Sequence, residues 1–116
     1  MRVLFDLIMA QPNTIKREYH GGGEYIKSVY NKLRVMAKNS DDIFEVFYSS
    51  ERFMDGWLQD IISDSAVTSY NIGGLNEISK LMLAGDHDVF FSGLPYEYYH
   101  IIVPAKTKVV GTIHGL

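Results

Sequence analysis

The sequence predicts an α/β protein in three layers, with a doubly wound parallel sheet between two layers of helices. Strand-like and helix-like patterns alternate from end to end of the 116 residues. Apolar runs such as VLF, VFF and IIV are continuous, which is typical of strands buried on both faces. Helical segments separate successive strands, so the strands are expected to run parallel to one another.

The first half of the chain predicts a strand, a helix and a second strand. The strand RVLFDLIM covers Arg2–Met9, and a polar loop follows it through Gly23. A helix then continues to about Asn39, because apolar residues recur every three or four positions on one side of it. The apolar set is Ile26, Val29, Tyr30, Leu33, Met36 and Ala37, and the polar set opposite is Lys27, Asn31, Lys32 and Lys38. IFEVFYSS, at Ile43–Ser50, is the second strand.

The second half continues the alternation. RFMDGWLQDIIS predicts a helix with Trp57 in its apolar stripe, and AVTSYNI predicts a short third strand. LNEISKLMLAG is a helix that ends at Gly85, a residue favoured at helix C-termini. Asp88–Gly93 is a fourth strand, PYEYYHIIV is expected to form one or two helical turns, and Lys108–Leu116 is a fifth strand. The sheet is thus Rossmann-like, and we expect it to be truncated after this strand, where no covering helix follows.

Composition excludes several classes of function. The net charge of −3 gives no electrostatic footprint for nucleic acid, and the lack of cysteine excludes disulfides and Cys-ligated zinc. No apolar run reaches the roughly 20 residues that span a bilayer. Asp6 in the first apolar run argues against a signal sequence, so a cytoplasmic setting is expected, with peripheral membrane contact left open.

Three consecutive glycines, Gly21, Gly22 and Gly23, stand directly before the first predicted helix. The loop that carries them leaves the carboxyl end of the first strand, and ligands of doubly wound sheets bind at that edge. A helix start presents unpaired N–H groups and about half a positive charge, so it can hold a phosphate or a carboxylate. The glycines are therefore candidate binding residues, although a purely loop-shaping role is the alternative.

Three familiar glycine motifs fit poorly. A dinucleotide-binding turn joins its strand tightly, but about a dozen residues intervene here, and only Glu51 after the second strand resembles the ribose-binding acid. HGGG resembles the oxyanion-hole motif of lipase-like hydrolases, but the chain has no Gly-x-Ser-x-Gly nucleophile. A phosphate-binding P-loop needs Gly-Lys-Ser/Thr, which does not follow the glycines.

The order of elements and motifs resembles the N-terminal domain of GT-B fold retaining glycosyltransferases. The resemblance rests on MRVLFDL in the first strand, on GGGEYIKSVYNKL, and on a later strand ending VVGTIHGL. It spans essentially the whole chain, although each motif alone is only moderately specific. It implies transfer of a sugar from a nucleotide-sugar donor to an acceptor such as a sugar or a lipid, with no cofactor and no metal. It also implies that residues 1–116 are the incomplete acceptor-side domain, without the C-terminal donor-binding domain, and inactive alone.

The resemblance assigns roles to particular residues. Gly21, Gly22 and Gly23 would approach the donor phosphates, and His114 would face the transferred sugar as the catalytic group. A histidine that merely ends a strand is the alternative for His114. Three further side chains, independent of the resemblance, are candidate acceptor contacts, namely His20, Arg17 and Tyr96. Ordinary exposure in a loop is the alternative for His20 and Arg17, and packing against the sheet is the alternative for Tyr96.

Other candidates are weaker. Asp86–Asp88 resembles the Asp-x-Asp metal motif of a different glycosyltransferase fold, but helix termination explains it better. Lys16 and the aromatic cluster Tyr98–His100 also lie on the crevice side, where ordinary exposure and packing explain them. A non-catalytic module that binds a sugar or a nucleotide stays open as the alternative function.

Overall fold

The structure is a computed structural model that describes residues 1–11, 21–38, 40–93 and 104–111. Its strands are β1 (Arg2–Asp6), β2 (Ile43–Tyr48), β3 (Thr68–Asn71), β4 (Val89–Ser92) and β5 (Lys108–Gly111). Its helices are α1 (Gly21–Ala37), α2 (Gly56–Ser63) and α3 (Leu75–Gly85), and a single 3₁₀ turn covers Ile8–Ala10.

The five strands form one parallel sheet in the order β3-β2-β1-β4-β5. The central strand is β1, whose Phe5 is in register with Val46 of β2 and with Phe91 of β4. The chain moves outward from β1 to β3 and then returns to the other side of β1, so the strand order reverses between β1 and β4. The predicted α/β class and Rossmann-like doubly wound sheet are confirmed.

The face of the sheet under α1 and α2 carries an aromatic core centred on Phe5. Its ring stacks on Phe91 with centroids 4.6 Å apart and meets the edge of Tyr30 at 5.3 Å. Tyr30 also contacts Trp57 of α2 edge-on at 5.6 Å. These contacts bury Phe5 completely and bind both helices to the same face, since aromatic pairs favour offset and edge-on arrangements.

The opposite face packs against α3. Leu4, Phe47 and Phe90 on this face are almost fully buried against Ile78 and Met82 of the helix. Because neighbouring side chains on a strand point to opposite faces, Leu4 and Phe5 serve the two cores separately. Helices on both faces of one sheet give the predicted three layers.

Two boundaries near the N-terminus differ from the sequence prediction. The first strand ends at Asp6 rather than at Met9, because the chain turns there: the Ala10 N–H donates to the Leu7 carbonyl at 3.0 Å. Helix α1 begins at Gly21, so the glycines form its first turn and not a preceding loop. The predicted segment 95–103 and the end of the fifth predicted strand, 112–116, lie outside the described residues.

The start of α2 is fixed by polar contacts. Asp55 is the N-cap residue, and its Oδ1 accepts a hydrogen bond from the Leu58 N–H at 2.9 Å. Its Oδ2 pairs with Lys27 Nζ of α1 at 2.7 Å, and Lys27 also lies over the Trp57 ring. Trp57 is half-buried and packs against the core, as its apolar stripe predicts. Within the part of the chain that the structure describes, no helix is long and apolar enough to cross a membrane.

Helix α3 has the predicted bounds and ends beside a buried histidine. Asp86 follows in the left-handed conformation at φ 54°, which turns the chain toward β4. His87 is fully buried, and its ring lies directly against Gly85. A Cβ on Gly85 would overlap the ring, with the Nδ1 atom only 2.6 Å away. The absence of a side chain at position 85 therefore makes room for the histidine.

We predict that Gly85→Ala lowers the free energy of unfolding by roughly 1–3 kcal/mol, the usual cost of overpacking a rigid site. Gly56→Ala is the control, because nothing lies within 4 Å of a Cβ at that helical position. It should leave stability unchanged or raise it by up to about 1 kcal/mol, since alanine favours helix more than glycine does. Urea unfolding measures both variants, and equal effects would contradict the packing argument.

Candidate functional site

The carboxyl edge of the sheet at the β1–β4 boundary carries a buried carboxylate. Asp6 ends β1 and Ser92 ends β4, and both side chains are fully buried. The Ser92 hydroxyl donates to Asp6 Oδ2 at 2.9 Å, and the Ile8 N–H donates to Oδ1 at 2.8 Å. This position is the switch in strand order, where open α/β sheets bind ligands.

The Asp6 carboxylate shapes this edge. A buried carboxylate is costly unless donors surround it, so the hydrogen bonds from Ile8 and Ser92 help to fix the end of β1, the turn after it and the end of β4. Gly93, which follows Ser92, is also buried. Asp6 was not among the predicted site residues. The pattern that could have indicated it is a carboxylate at the end of a buried strand, followed by a polar loop.

Gln11 fixes the neighbouring loop. Its side-chain amide bonds to the backbone of Ser49 in both directions, donating to the carbonyl at 2.8 Å and accepting from the N–H at 2.9 Å. Because Gln11 follows the turn after β1 and Ser49 follows β2, the loops at the carboxyl ends of two adjacent strands are joined. The carboxyl edge is therefore built from paired polar groups along β4, β1 and β2.

The three glycines lie at the same edge, in the first turn of α1. Helix α1 packs against the 3₁₀ turn at Ile8–Ala10, and Gly23 is buried. The positive end of the α1 dipole is thus directed to the carboxyl edge beside β1, with the exposed Glu24 in the same first turn. A helix N-terminus of this kind favours a negative charge nearby.

Several predicted site residues lie outside the described residues, namely His114, His20, Arg17, Tyr96, Lys16 and Tyr98–His100. Within the described part, the structure brings together the glycine turn, Asp6 and Ser92 at one edge. Glu51, the candidate ribose-binding acid, is exposed after β2.

The amino edge of the sheet carries a different polar cluster, formed by Arg2, Glu45 and His87. Glu45 Oε2 pairs with Arg2 Nη2 at 2.6 Å, and its Oε1 lies 2.6 Å from His87 Nε2. Glu45 and His87 are buried, and the Thr107 hydroxyl donates to the His87 carbonyl at 2.6 Å. Burial alone would raise the pKa of Glu45, but the hydrogen bonds from Arg2 and His87 outweigh it and hold that pKa below its ordinary value.

This arrangement accounts for Asp86–Asp88 without a metal. Asp86 is the C-cap residue of α3, and the His87 ring is hydrogen-bonded to the Glu45 carboxylate. Asp88 Oδ2 accepts a hydrogen bond from the Arg2 N–H at 2.7 Å. No group of three or more His, Asp or Glu residues that could hold a metal occurs among the described residues. Asp86 ends α3 and is exposed, whereas His87 is fully buried, so solvent exposure does not explain the whole segment.

Comparison of the chain with protein-family models, with curated proteins and with solved structures finds no significant match. The resemblance to glycosyltransferases therefore stays a prediction.

The Glu45 cluster predicts how stability responds to acid. Since the folded-state pKa of Glu45 is lowered, its contribution is present above its ordinary value of 4.5 and is lost as the pH falls through the folded value. Glu45→Gln should cost roughly 1–3 kcal/mol at neutral pH, where Arg2 and His87 lose a charged partner. It should then lose less stability than the wild type between about pH 5 and pH 3.

Urea unfolding at a series of pH values measures this difference. Glu51→Gln is the control, because Glu51 is exposed and should leave the acid response of the wild type unchanged. Asp64 and Asp88, whose pKa values are also lowered, keep some acid sensitivity in every variant. If the Glu45→Gln variant lost as much stability in acid as the wild type does, the cluster would not be the source of the response.

Proposed function

We propose that this chain is the acceptor-side part of a glycosyltransferase, which moves a sugar from a nucleotide-sugar donor to an acceptor. In this proposal the donor phosphates and the transferred sugar lie at the carboxyl edge of the sheet, beside β1 and β4. A second domain, which the sequence does not include, would hold the nucleotide.

One observation carries the proposal: the glycine turn that opens α1 lies at the edge where the strand order reverses. Two properties that a diphosphate needs coincide there, namely a helix N-terminus and positions without a Cβ. The turn of a P-loop or of a dinucleotide-binding site would offer the same chemistry, but this chain has neither sequence signature. The family resemblance then favours a sugar nucleotide over other diphosphates.

Glycosyl transfer needs little covalent chemistry from this half of a site. The departing diphosphate and the positively charged, oxocarbenium-like sugar are stabilised mainly by positioned charges and dipoles. By the family resemblance, the glycine turn would approach the diphosphate, and the positive end of the α1 dipole would stabilise it. The His114 imidazole would hydrogen-bond the sugar hydroxyls or face the developing charge, and His20, Arg17 and Tyr96 would contact the acceptor.

Asp6 and Ser92 have a supporting role in this proposal. Both side chains are buried and satisfy each other, so they hold the ends of β1 and β4 in place without contacting the donor. The chain entering the glycine turn leaves from β1. A rigid end of β1 therefore limits where that turn can lie, and a small displacement of a binding group is costly in a transfer reaction.

Binding of UDP-glucose to the purified chain, measured by titration calorimetry, tests the glycine turn. We expect weak binding by the wild type and at least a roughly tenfold loss of affinity in Gly22→Val, because a branched side chain blocks close approach of the phosphates. Thermal unfolding of the Gly22→Val variant separates a loss of affinity from a loss of folding.

Gly56→Val is the matched control, since Gly56 also opens a helix and has open space around it. That N-terminus is already occupied by the Asp55 carboxylate, so the control should bind like the wild type. No binding by the wild type, or equal losses in both variants, would contradict the proposed phosphate site. A full reading frame without a second alternating pattern of roughly 200 residues would favour the non-catalytic binding module.

A further inference from the structure

The loop 49–55, between β2 and α2, is tied to the neighbouring strand β3 and to the helix that follows it. The Ser50 N–H donates to Asn71 Oδ1 at 2.9 Å, and the Asn71 amide donates back to the Ser50 hydroxyl at 2.8 Å. Asp55, at the other end of the loop, is the N-cap residue of α2. The loop therefore has a fixed position at the carboxyl edge, and other segments can be anchored to it.

Gln11 is anchored to this loop by its side-chain amide. The amide donates to the carbonyls of Ser49 and Phe53, at 2.8 and 3.4 Å, and accepts from the Ser49 N–H at 2.9 Å. The side chain is almost fully buried. These contacts use both donors and one of the two acceptor positions of the amide, so the buried group is satisfied only while the loop stays in place.

Lys27 of α1 is anchored to the same loop from the other direction. Its Nζ lies 2.7 Å from Asp55 Oδ2, and both side chains are mostly buried. Lys27 follows Gly23 by four residues, which is about one turn of the helix. Nine residues, 12–20, separate Gln11 from Gly21. Along the chain, the glycine turn thus stands between two attachments to loop 49–55.

We propose that Gln11 is a positioning residue, which holds the glycine turn of α1 in place through loop 49–55. The Lys27 contact fixes the side of α1 against this loop, and the Gln11 contact fixes the chain that leads into the helix. Loss of Gln11 removes one of these two attachments. The consequence for donor binding rests on the proposed function, whereas the consequence for the glycine turn itself does not.

Hydrogen exchange of the Tyr25 and Ile26 amides tests the effect on the glycine turn in the free chain. Because α1 begins at Gly21, these are the first N–H groups that can bond within the helix, so their exchange measures opening of its first turn. Gln11→Ala should accelerate their exchange at least roughly tenfold, since it removes the buried hydrogen bonds of the amide. The Met82 amide of α3 should be accelerated less.

Gln11→Glu tests whether the hydrogen bonds of the amide are responsible. A protonated glutamate can donate to the Ser49 carbonyl and accept from its N–H, whereas an ionised one places a buried charge against that carbonyl. Burial raises the folded-state pKa of such a carboxyl, so its contribution is present below its ordinary pKa of about 4.3 and is lost as the pH rises through the raised value. The protection of Tyr25 and Ile26 should therefore be higher at pH 5 than at pH 8, where it should fall to the level of Gln11→Ala or below.

Gln59→Glu is the matched control. The Gln59 amide also donates to this loop, to the Met54 carbonyl at 3.0 Å, but its side chain is exposed, so the variant should follow the wild type at both pH values. Equal losses of protection in α1 and α3 of Gln11→Ala would show that Gln11 only stabilises the whole fold, and would overturn the positioning role. Unchanged protection of Tyr25 and Ile26 would overturn it as well.

Titration calorimetry with UDP-glucose then tests the consequence for the donor. Gln11→Ala should weaken binding roughly tenfold, because a displaced binding group loses much of its effect. Equal affinities of the wild type and Gln11→Ala would overturn the role of Gln11 in donor binding. A wild type that does not bind UDP-glucose contradicts the proposed donor site instead, and the exchange of the free chain still decides whether Gln11 positions the glycine turn.

Discussion

The carboxylate of Asp6 at the end of the central strand is the constraint on which the carboxyl edge depends. A buried charge needs donors, and here they come from the next turn and from the end of β4, two segments far apart in the sequence. The same strand is held at its other end, where Arg2 pairs with the buried Glu45. The central strand is thus fixed at both ends by polar contacts, and its middle is fixed by the stacking of Phe5 on Phe91.

The two edges of the sheet consequently differ in what they can bind. At the amino edge, the Glu45 carboxylate contacts both Arg2 and His87, so these polar groups pair with one another within the fold. At the carboxyl edge, Asp6 is hydrogen-bonded within the fold, and the N-terminal turn of α1 adds the positive end of a helix dipole.

The sequence predicts the fold class well, because alternation of buried strands and amphipathic helices is a local signal. It predicts the bounds of α3, because apolar residues recur at helical spacing along the segment and Gly85 marks its C-terminal end. It misplaces the start of α1, since consecutive glycines ordinarily indicate a loop. The pairing of Glu45 with His87 joins residues brought together by strand register, which no local pattern reports. Met36 belongs to the predicted apolar side of α1 and is nevertheless 72% exposed, because its exposure depends on which strands α1 covers.

The central claim is that an anionic sugar nucleotide binds at the carboxyl edge beside β1 and β4. Amide chemical shifts of the ¹⁵N-labelled chain, followed during titration with UDP-glucose, test it most directly. The account predicts that the changes concentrate at Gly23, Ile8 and Gly93, while the amides of His87 and Thr107 at the amino edge stay unchanged. Changes concentrated at the amino edge, or no changes at the glycine turn with saturating ligand, would contradict it.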